Sequence, residues 1–265
     1  MIDSHCHLDA AEFDNDRDKV LAQALAAGVT KIINPAVCVE NFNSVRQLSK
    51  HSLALQLLGQ SSVVHYALGI HPIYVMQARY SDIELLRQAV AASLSDPCFV
   101  GIGEIGLDGF EPNIDRERQH WFFVEQLKVA RDFELPVIMH VRHAVDSVLK
   151  QLRIFKPRSG IAHAFNGSEQ QASQLIACQM ALGFGGAMTF TRALQIRRLA
   201  AALPIDSLVL ETDSPDISPS WVHPERNSPD QVVRIANVLA QLRDVPVSVI
   251  ESTTNATVNR VLNWQ

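Results

Sequence analysis

The sequence predicts an α/β fold, a closed (β/α)₈ TIM barrel, and three observations support this prediction. Eight short apolar runs alternate with longer helical patterns along the 265 residues, and such alternation is typical of parallel βαβ units. Eight units in a chain of this length fit a closed barrel better than an open doubly wound sheet. No linker or low-complexity tract divides the chain, which is therefore expected to form one barrel domain over residues 1–265.

The predicted strands are apolar runs bounded by turn residues. Their order along the chain is 1–8, 29–35, 63–72, 98–106, 136–141, 160–165, 180–186 and 207–213. The seventh run is the weakest prediction, because its three glycines disfavour a regular strand. The longest irregular segment, Ser214 to Asn227, follows the eighth run. Loops of that length in a compact domain are often binding loops or lids.

Helix ends are predicted from capping residues between the strands. Residues 81–84 and 168–171 have the Ser-x-x-Glu/Gln spacing of capping boxes, and Gly28 is expected to end the first helix. Further helix starts are predicted at Ser228, which precedes a proline, and at Ser248. These helical patterns lie between the predicted strands or after the last of them.

Composition narrows the function classes. Hydrophobic residues make up 47% of the chain, yet no run of about 18 apolar residues indicates a membrane span. The first ten residues lack the basic and apolar regions of a secretory signal, and four scattered cysteines suit a reducing compartment. A cytoplasmic protein is therefore expected. The net charge of −5 provides no basic surface for tight duplex binding, so nucleic-acid chemistry would need a local site where a metal supplies positive charge.

Polar residues collect where the predicted strands end, which is where barrels carry their chemistry. In an extended run, His5 and His7 face one side and Cys6 the other. The H-x-H pair alone is a weak motif, and partners at distant strand ends make it a metal-site hypothesis. The predicted ligands are His5, His7, Glu104, His140, His163 and Asp213.

Four histidines and two carboxylates suit two ions that share a bridging carboxylate better than one four-coordinate structural zinc. Nitrogen and oxygen donors together are compatible with Zn, Mn or Fe, and with Mg if water fills several positions. Two divalent ions per chain are therefore predicted. Asp213 is the predicted general base, because a carboxylate at the edge of such a site can take a proton from water.

Other polar residues near the strand ends have less specific roles. For His71, support of the site and contact with substrate are equally favoured, and Glu211 is expected to be a buried support. Arg142, two residues beyond His140, is a candidate phosphate clamp, with a solvated side chain as the alternative. The glycine-rich segment 184–191 is a candidate anion cradle, with barrel packing as its alternative. The remaining histidines at helix, mid-strand or post-strand positions are predicted not to be ligands: His51, His65, His120 and His143.

The motifs resemble those of a known family in order and spacing. They are D-S-H-C-H-L-D, G-I-H-P, G-E-I-G-L-D, L-P-V-I-M-H-V-R, H-A-F-N-G-S, L-E-T-D-S-P-D and P-E-R-N-S-P, which lie between residue 3 and about residue 229. In this set the chain resembles TatD-type metal-dependent deoxyribonucleases, and most of all their YjjV-like branch.

The resemblance implies a barrel of the amidohydrolase type with a two-metal site that hydrolyses phosphodiesters. By motif position, His5, His7 and Asp213 would hold one ion, His140 and His163 the other, and Glu104 would bridge them. Asn166 stands where relatives usually have Ser, so the substrate contacts assigned to that position are less secure.

The function hypothesis is a two-metal-dependent phosphodiester hydrolase, a deoxyribonuclease acting on DNA, with Glu104 and Asp213 as catalytic residues. The alternative is a hydrolase of a small amide, lactone or phosphoester on the same barrel. A non-catalytic binding protein is disfavoured, because every expected ligand is present. No membrane and no obligate protein partner are expected, whereas the native metal, the mode of cleavage and the oligomeric state stay open.

Overall fold

The computed structural model describes residues 1–55 and 63–263, in which eight parallel strands form one sheet in the order β1 to β8. The strands are β1 (Ile2–Asp3), β2 (Lys31–Pro35), β3 (Val64–Leu68), β4 (Phe99–Asp108), β5 (Val137–Arg142), β6 (Gly160–His163), β7 (Met180–Phe184) and β8 (Leu208–Leu210). The helices are α1 (Arg17–Ala27), α2 (Phe42–Leu55), α3 (Asp82–Ser93), α4 (Arg116–Asp132), α5 (Val145–Phe155), α6 (Glu169–Ala177), α7 (Leu194–Ala202), α8 (Val232–Arg243) and α9 (Val247–Val261). One helix follows each strand, and α9 is additional.

Backbone hydrogen bonds between the first and last strands bring the two edges of the sheet together. The Ser4 N–H donates to the Leu210 carbonyl at 2.9 Å, and the Asp213 N–H donates to the His5 carbonyl at 2.8 Å. The sheet is therefore a nearly closed barrel, as predicted. Two of the predicted ligands, His5 and Asp213, lie at this junction, so closure of the barrel positions them.

An apolar layer fills the barrel interior with one residue from every strand. It consists of Ile2, Ile33, Ala67, Val100, Ile138, Ile161, Ala181 and Val209. Val258, Val261 and Leu262 pack against it from α9 and the residue after it. The Ile2 N–H also donates to the Asn255 side chain of α9 at 2.9 Å. The N-terminal end of the barrel is therefore closed by hydrophobic packing.

Two residues further along several strands, the interior becomes polar. Because side chains of a strand alternate between its faces, the residue two positions after a layer residue also points into the barrel. His140 follows Ile138 in this way, and His163 follows Ile161. The alternation therefore places two predicted ligands directly above the apolar layer.

All eight predicted strands are present, including the weakest, but several of their ends differ. The first strand has only two residues, although the isolated bridge between Cys6 and Ser214 continues its direction. Glu104 was expected at the end of the fourth strand and lies inside β4 instead, because that strand continues to Asp108. Its register against β5 shifts between Ile102 and Ile105, an irregularity of the kind that re-aims side chains.

Two of the predicted helix ends are confirmed. Gly28 ends α1 with a φ of 99°, a left-handed conformation that favours glycine. Ser168 and Gln171 form a reciprocal capping box, with bonds of 3.1 and 2.9 Å. Ser228 precedes a short 3₁₀ helix at Pro229–Gln231, immediately before α8, but its side chain does not cap the backbone.

The other two capping predictions are wrong in detail. Within the described residues the Ser81 side chain makes no capping bond, and the neighbouring Asp82 carboxylate accepts the Arg79 N–H at 2.7 Å. The last helix begins at Val247, directly after a proline, so Ser248 lies within its first turn. Both helices exist where they were expected, and only the groups at their starts differ.

The long segment after β8 is held by a buried asparagine. The Asn227 amide donates to the Thr212 and Asp216 carbonyls, both at 2.9 Å. The Trp221 indole N–H donates to Gln231 at 2.8 Å. This segment is therefore fixed beside the C-terminal end of the barrel. Among the described residues, no helix combines the length and the apolar character needed to cross a membrane.

Candidate metal centre

Five imidazole rings surround the buried carboxylate of Glu104. The distances from its Oε2 are 3.1 Å to His5 Nε2 and 3.2 Å to His7 Nε2, and from its Oε1 they are 3.1 Å to His71 Nε2, 3.2 Å to His140 Nδ1 and 3.0 Å to His163 Nε2. Each carboxylate oxygen thus faces its own group of rings. The two oxygens therefore face two different sets of potential metal ligands.

The environment of Glu104 Oε1 fits a bound cation. Although three ring nitrogens lie close to it, this atom has no hydrogen-bond partner among the described residues. Buried polar atoms are nearly always satisfied, and an exception calls for an ion, a water or a functional explanation. Ring nitrogens and carboxylate oxygens that converge in this way are the donor types that divalent transition metals bind.

Asp213 lies at the edge of the cluster and is more accessible than Glu104. Its Oδ1 is 3.7 Å from His5 Nε2 and 3.9 Å from His7 Nε2, and its side chain is 14% exposed against 1% for Glu104. Three groups of potential ligand atoms converge in the described residues. They are His5–His7–Asp213, His5–Glu104–His163 and His71–Glu104–His140.

A further carboxylate, that of Asp108, sets the orientation of His140. The His140 Nε2 lies 2.9 Å from Asp108 Oδ2. A neutral ring that donates from Nε2 presents the lone pair of Nδ1 to Glu104, as metal-binding histidines do when a carboxylate supports them. The Phe110 and Glu111 N–H groups also donate to Asp108, at 2.7 and 2.9 Å.

Sequence reasoning missed Asp108. Burial would raise the pKa of its carboxyl, but His140 and the two backbone N–H groups outweigh burial and hold that pKa well below its usual range. It therefore stays ionised as an acceptor. The available indication was its position four residues after Glu104, on the same side of an extended strand.

His71 lies inside the cluster, although sequence reasoning left its role between support and substrate contact. It is buried, and its Nδ1 accepts the Ile73 N–H at 3.1 Å. The neutral ring must then carry its proton on Nε2, the atom that faces Glu104 Oε1. In this tautomer the Nε2–H of His71 faces Glu104 Oε1 without forming a hydrogen bond to it, and the ring has no lone pair for a metal.

Glu211 is buried beneath the cluster, as expected. Its Oε1 accepts the Ala164 N–H and lies 3.8 Å from His163 Nδ1. Burial raises the pKa of Glu211 to about 7. A side chain at Gly183 would overlap the Glu211 carboxylate, so this glycine of β7 makes room for the acid.

The carboxylates also control the protonation of the histidines. For His163, burial would lower the pKa, but Glu104 opposes it strongly and raises the pKa to about 10. The pKa of His7 is raised to about 9, since Glu104 and Asp213 outweigh its burial. Burial would raise the pKa of Glu104, but the surrounding rings, His71 first, hold it well below its ordinary value. Protons and metal ions therefore compete for the same ring nitrogens.

The predicted substrate-contact residues lie around the cluster at the rim of the barrel. Arg142 ends β5, is 48% exposed, and holds its Nη1 3.9 Å from Asp108 Oδ2. Asn166 is exposed three residues after His163. The glycines after β7 have the packing role named as the alternative. A Cβ at Gly186 would overlap the Ile217 carbonyl.

The histidines predicted not to bind metal stay outside the converging ligand groups of the described residues. His51 pairs with Asp18 at 3.0 Å, and His120 with Gln151 at 2.9 Å. His65 is buried in β3.

Comparison with known proteins gives this site a class. The family model described as TatD related DNase matches residues 2–263. An uncharacterized metal-dependent hydrolase of Escherichia coli K12, YjjV, is 39% identical over 251 residues, which cover 94% of this chain and 93% of that protein. An uncharacterized metal-dependent hydrolase of Haemophilus influenzae is 32% identical over 261 residues, 96% of each chain. The crystal structure of Escherichia coli YjjV superposes with a TM-score of 0.92 and 36% sequence identity, over 99% of this chain and 98% of that one.

A (β/α)₈ barrel with converging histidine and carboxylate ligands, and relatives of this kind, define a metal-dependent hydrolase. The chain belongs to the TatD family, whose model spans nearly its whole length.

Proposed function

We propose that this protein is a two-metal-dependent phosphodiester hydrolase that acts on DNA. The main support is the division of Glu104 between two donor sets, with its Oε2 toward His5 and His7 and its Oε1 toward His140 and His163. A carboxylate shared in this way is the usual bridge of a two-ion site. The family description, TatD related DNase, favours DNA as the substrate.

In this proposal the histidines and Asp213 act as ligands around Glu104. His5, His7 and Asp213 hold one divalent ion, and His140 and His163 hold the second. His71 turns its Nε2–H toward Glu104 and lies beside the bridging carboxylate as a supporting residue. Bound divalent ions supply Lewis acidity for the scissile phosphate and make water a nucleophile at neutral pH.

Asp213 is the proposed general base. It is the more exposed of the two catalytic carboxylates, and it lies at the edge of the cluster, where a water molecule can approach. Burial raises the pKa of Asp213 above its ordinary value, and a raised pKa makes a carboxylate a better proton acceptor. Glu104, enclosed by five rings, instead acts as a fixed ligand.

Arg142 is the proposed phosphate contact. Its guanidinium is half-exposed at the rim, and its planar set of donors matches phosphate oxygens. Asn166 is a second candidate contact on the neighbouring strand end. Arg142→Ala should raise KM for oligonucleotides with little change in kcat, because a contact away from the cleaved bond is similar in ground and transition states.

The test is a substrate panel with metal-reconstituted protein. Single-stranded DNA, duplex DNA, RNA, bis-p-nitrophenyl phosphate, simple amides and lactones are assayed with several divalent ions. The Asp213→Asn variant, purified identically, controls for contaminating nucleases. We expect phosphodiesters to be the best substrates and the variant to be nearly inactive. Faster hydrolysis of amides or lactones than of any phosphodiester would overturn the proposal.

A further inference from the structure

An exposed aromatic ring stands beside the metal centre without belonging to it. Phe110, in the connection between β4 and α4, is 57% exposed. The guanidinium carbon of Arg142 lies 3.9 Å from the centre of its ring. The His143 ring lies 5.7 Å from it, centre to centre, at an interplanar angle of 31°. These three flat side chains form one aromatic cluster, in which Arg142 and His143 are also exposed.

The segment that carries Phe110 is firmly held. The Phe110 N–H donates to Asp108 Oδ1 at 2.7 Å. The Arg116 guanidinium donates to the Gly109 carbonyl at 3.1 Å and to the Glu111 carbonyl at 2.8 Å. Ordering a flexible loop opposes binding, so a ring held in advance retains more of its contact energy.

Backbone contacts between the ends of β4 and β5 also hold this aromatic cluster in place. The Gly109 N–H donates to the Arg142 carbonyl at 2.6 Å. A Cβ at position 109 would overlap the His143 carbonyl, so only glycine permits this approach. His143 adopts a φ of 52°, a left-handed conformation that costs a non-glycine residue free energy. The backbone therefore sets the relative positions of all three flat groups.

One carboxylate lies between the aromatic cluster and the metal centre. Asp108 Oδ2 is 2.9 Å from His140 Nε2 and 3.9 Å from Arg142 Nη1. A substrate whose phosphate reached the ions beside His140 would therefore bring its neighbouring groups next to Phe110 and Arg142.

Exposed aromatic rings and guanidinium planes stack on nucleobases, with little dependence on base identity. In a duplex the bases already stack on one another, so such a surface selects unpaired ones. The net charge of −5 likewise gives no basic surface for a duplex. We infer that Phe110, Arg142 and His143 form a stacking platform for an unpaired nucleobase beside the cleaved bond. This inference rests on the proposed function and assigns to it a contact for a nucleobase next to the cleaved bond.

The test couples the ring to the base that it contacts. The value of kcat/KM is measured at saturating metal for single-stranded oligonucleotides that carry one abasic position at successive sites around the cleaved bond. Wild type and Phe110→Leu are compared on each substrate. We expect Phe110→Leu to lose about five- to a hundredfold on the intact strand. It should lose nothing further on the strand that lacks the stacked base, whereas Phe110→Trp should retain the wild-type preference.

Two controls separate the possible outcomes. Hydrolysis of a diester of two abasic deoxyriboses, which has no ring to stack, should be unchanged in Phe110→Leu. Leu194→Ala, a change at a residue 75% exposed on α7, should behave as wild type on every strand. Equal losses on intact and abasic strands, or a loss on the abasic diester, would overturn the platform alone. A wild type that hydrolyses no phosphodiester would overturn the proposed function and the platform with it.

Discussion

The two ends of the barrel interior are built from the same strands on opposite principles. At the N-terminal end, eight apolar side chains, one from each strand, pack against α9. At the C-terminal end, five imidazoles enclose one carboxylate, and one of its oxygens has no hydrogen-bond partner in the part of the chain that the structure describes. Burial of apolar groups stabilises a fold, whereas crowded buried polar groups cost free energy unless a ligand completes them. The N-terminal end thus mainly stabilises the fold, whereas the C-terminal end is suited to bind a ligand.

Among the variants that distinguish the two ends, Asp213→Asn is expected to have the largest effect, and that effect is on turnover. The change preserves size but removes the proton acceptor, so turnover should fall about 10²- to 10⁴-fold. The variant should still fold, because Asp213 lies at the rim of the barrel and not in its apolar layer. Steady-state kinetics at saturating metal, with a thermal melt of the same sample, tests both statements. Near-normal turnover would remove Asp213 from catalysis.

Ile33→Ala should have the opposite signature. Ile33 is fully buried in the apolar layer, on a strand that contributes no predicted ligand. Truncation of a buried isoleucine costs about 2–5 kcal/mol, and denaturant unfolding measures this loss. Metal affinity and kcat of the folded variant should stay at wild-type values. A large loss of metal affinity would show that the two ends are not independent.

The protonation of the histidines at the rim of the barrel predicts that metal affinity depends steeply on pH. The pKa values of His163 and His7 are raised to about 10 and about 9, so both rings carry a proton at pH 7 until a cation displaces it. Binding therefore releases protons, and affinity rises with pH below these values, about tenfold per unit for each released proton. Calorimetric titrations in two buffers of different ionisation enthalpy count these protons. Identical heats in both buffers would contradict the prediction.

Asp108→Asn tests the support of His140 with a smaller expected effect. The amide oxygen can still accept a hydrogen bond, but the charge that favours a donor on His140 Nε2 is lost. Loss of such a supporting group typically lowers metal affinity about 10- to 100-fold. Glu111→Gln, which removes a nearby, partly buried charge without touching His140, is the matched control. Equal affinities for both variants and wild type would limit Asp108 to holding its loop.

The periodicity of the sequence was sufficient to predict the barrel and most of the side chains at its C-terminal rim. Alternating strands and helices predicted the topology. The H-x-H pair and the distant strand ends predicted six side chains that do converge, because strand order in a parallel barrel follows chain order.

Other features depended on geometry that periodicity does not carry. The register shift in β4 determines where Glu104 points. The proton on His71 follows from a bond to the Ile73 backbone. Asp108 was missed because its partner lies on another strand, 32 residues away in the chain.

The central claim is that Glu104 is shared by two cations, and metal counting with a matched variant tests it most directly. Wild type and Glu104→Gln are reconstituted with zinc or manganese, freed of loose metal, and analysed for ions per chain. The account predicts about two ions in wild type and one or none in the variant, whose amide cannot bridge two cations as a carboxylate does. Two tightly held ions in Glu104→Gln, or at most one in wild type, would contradict it.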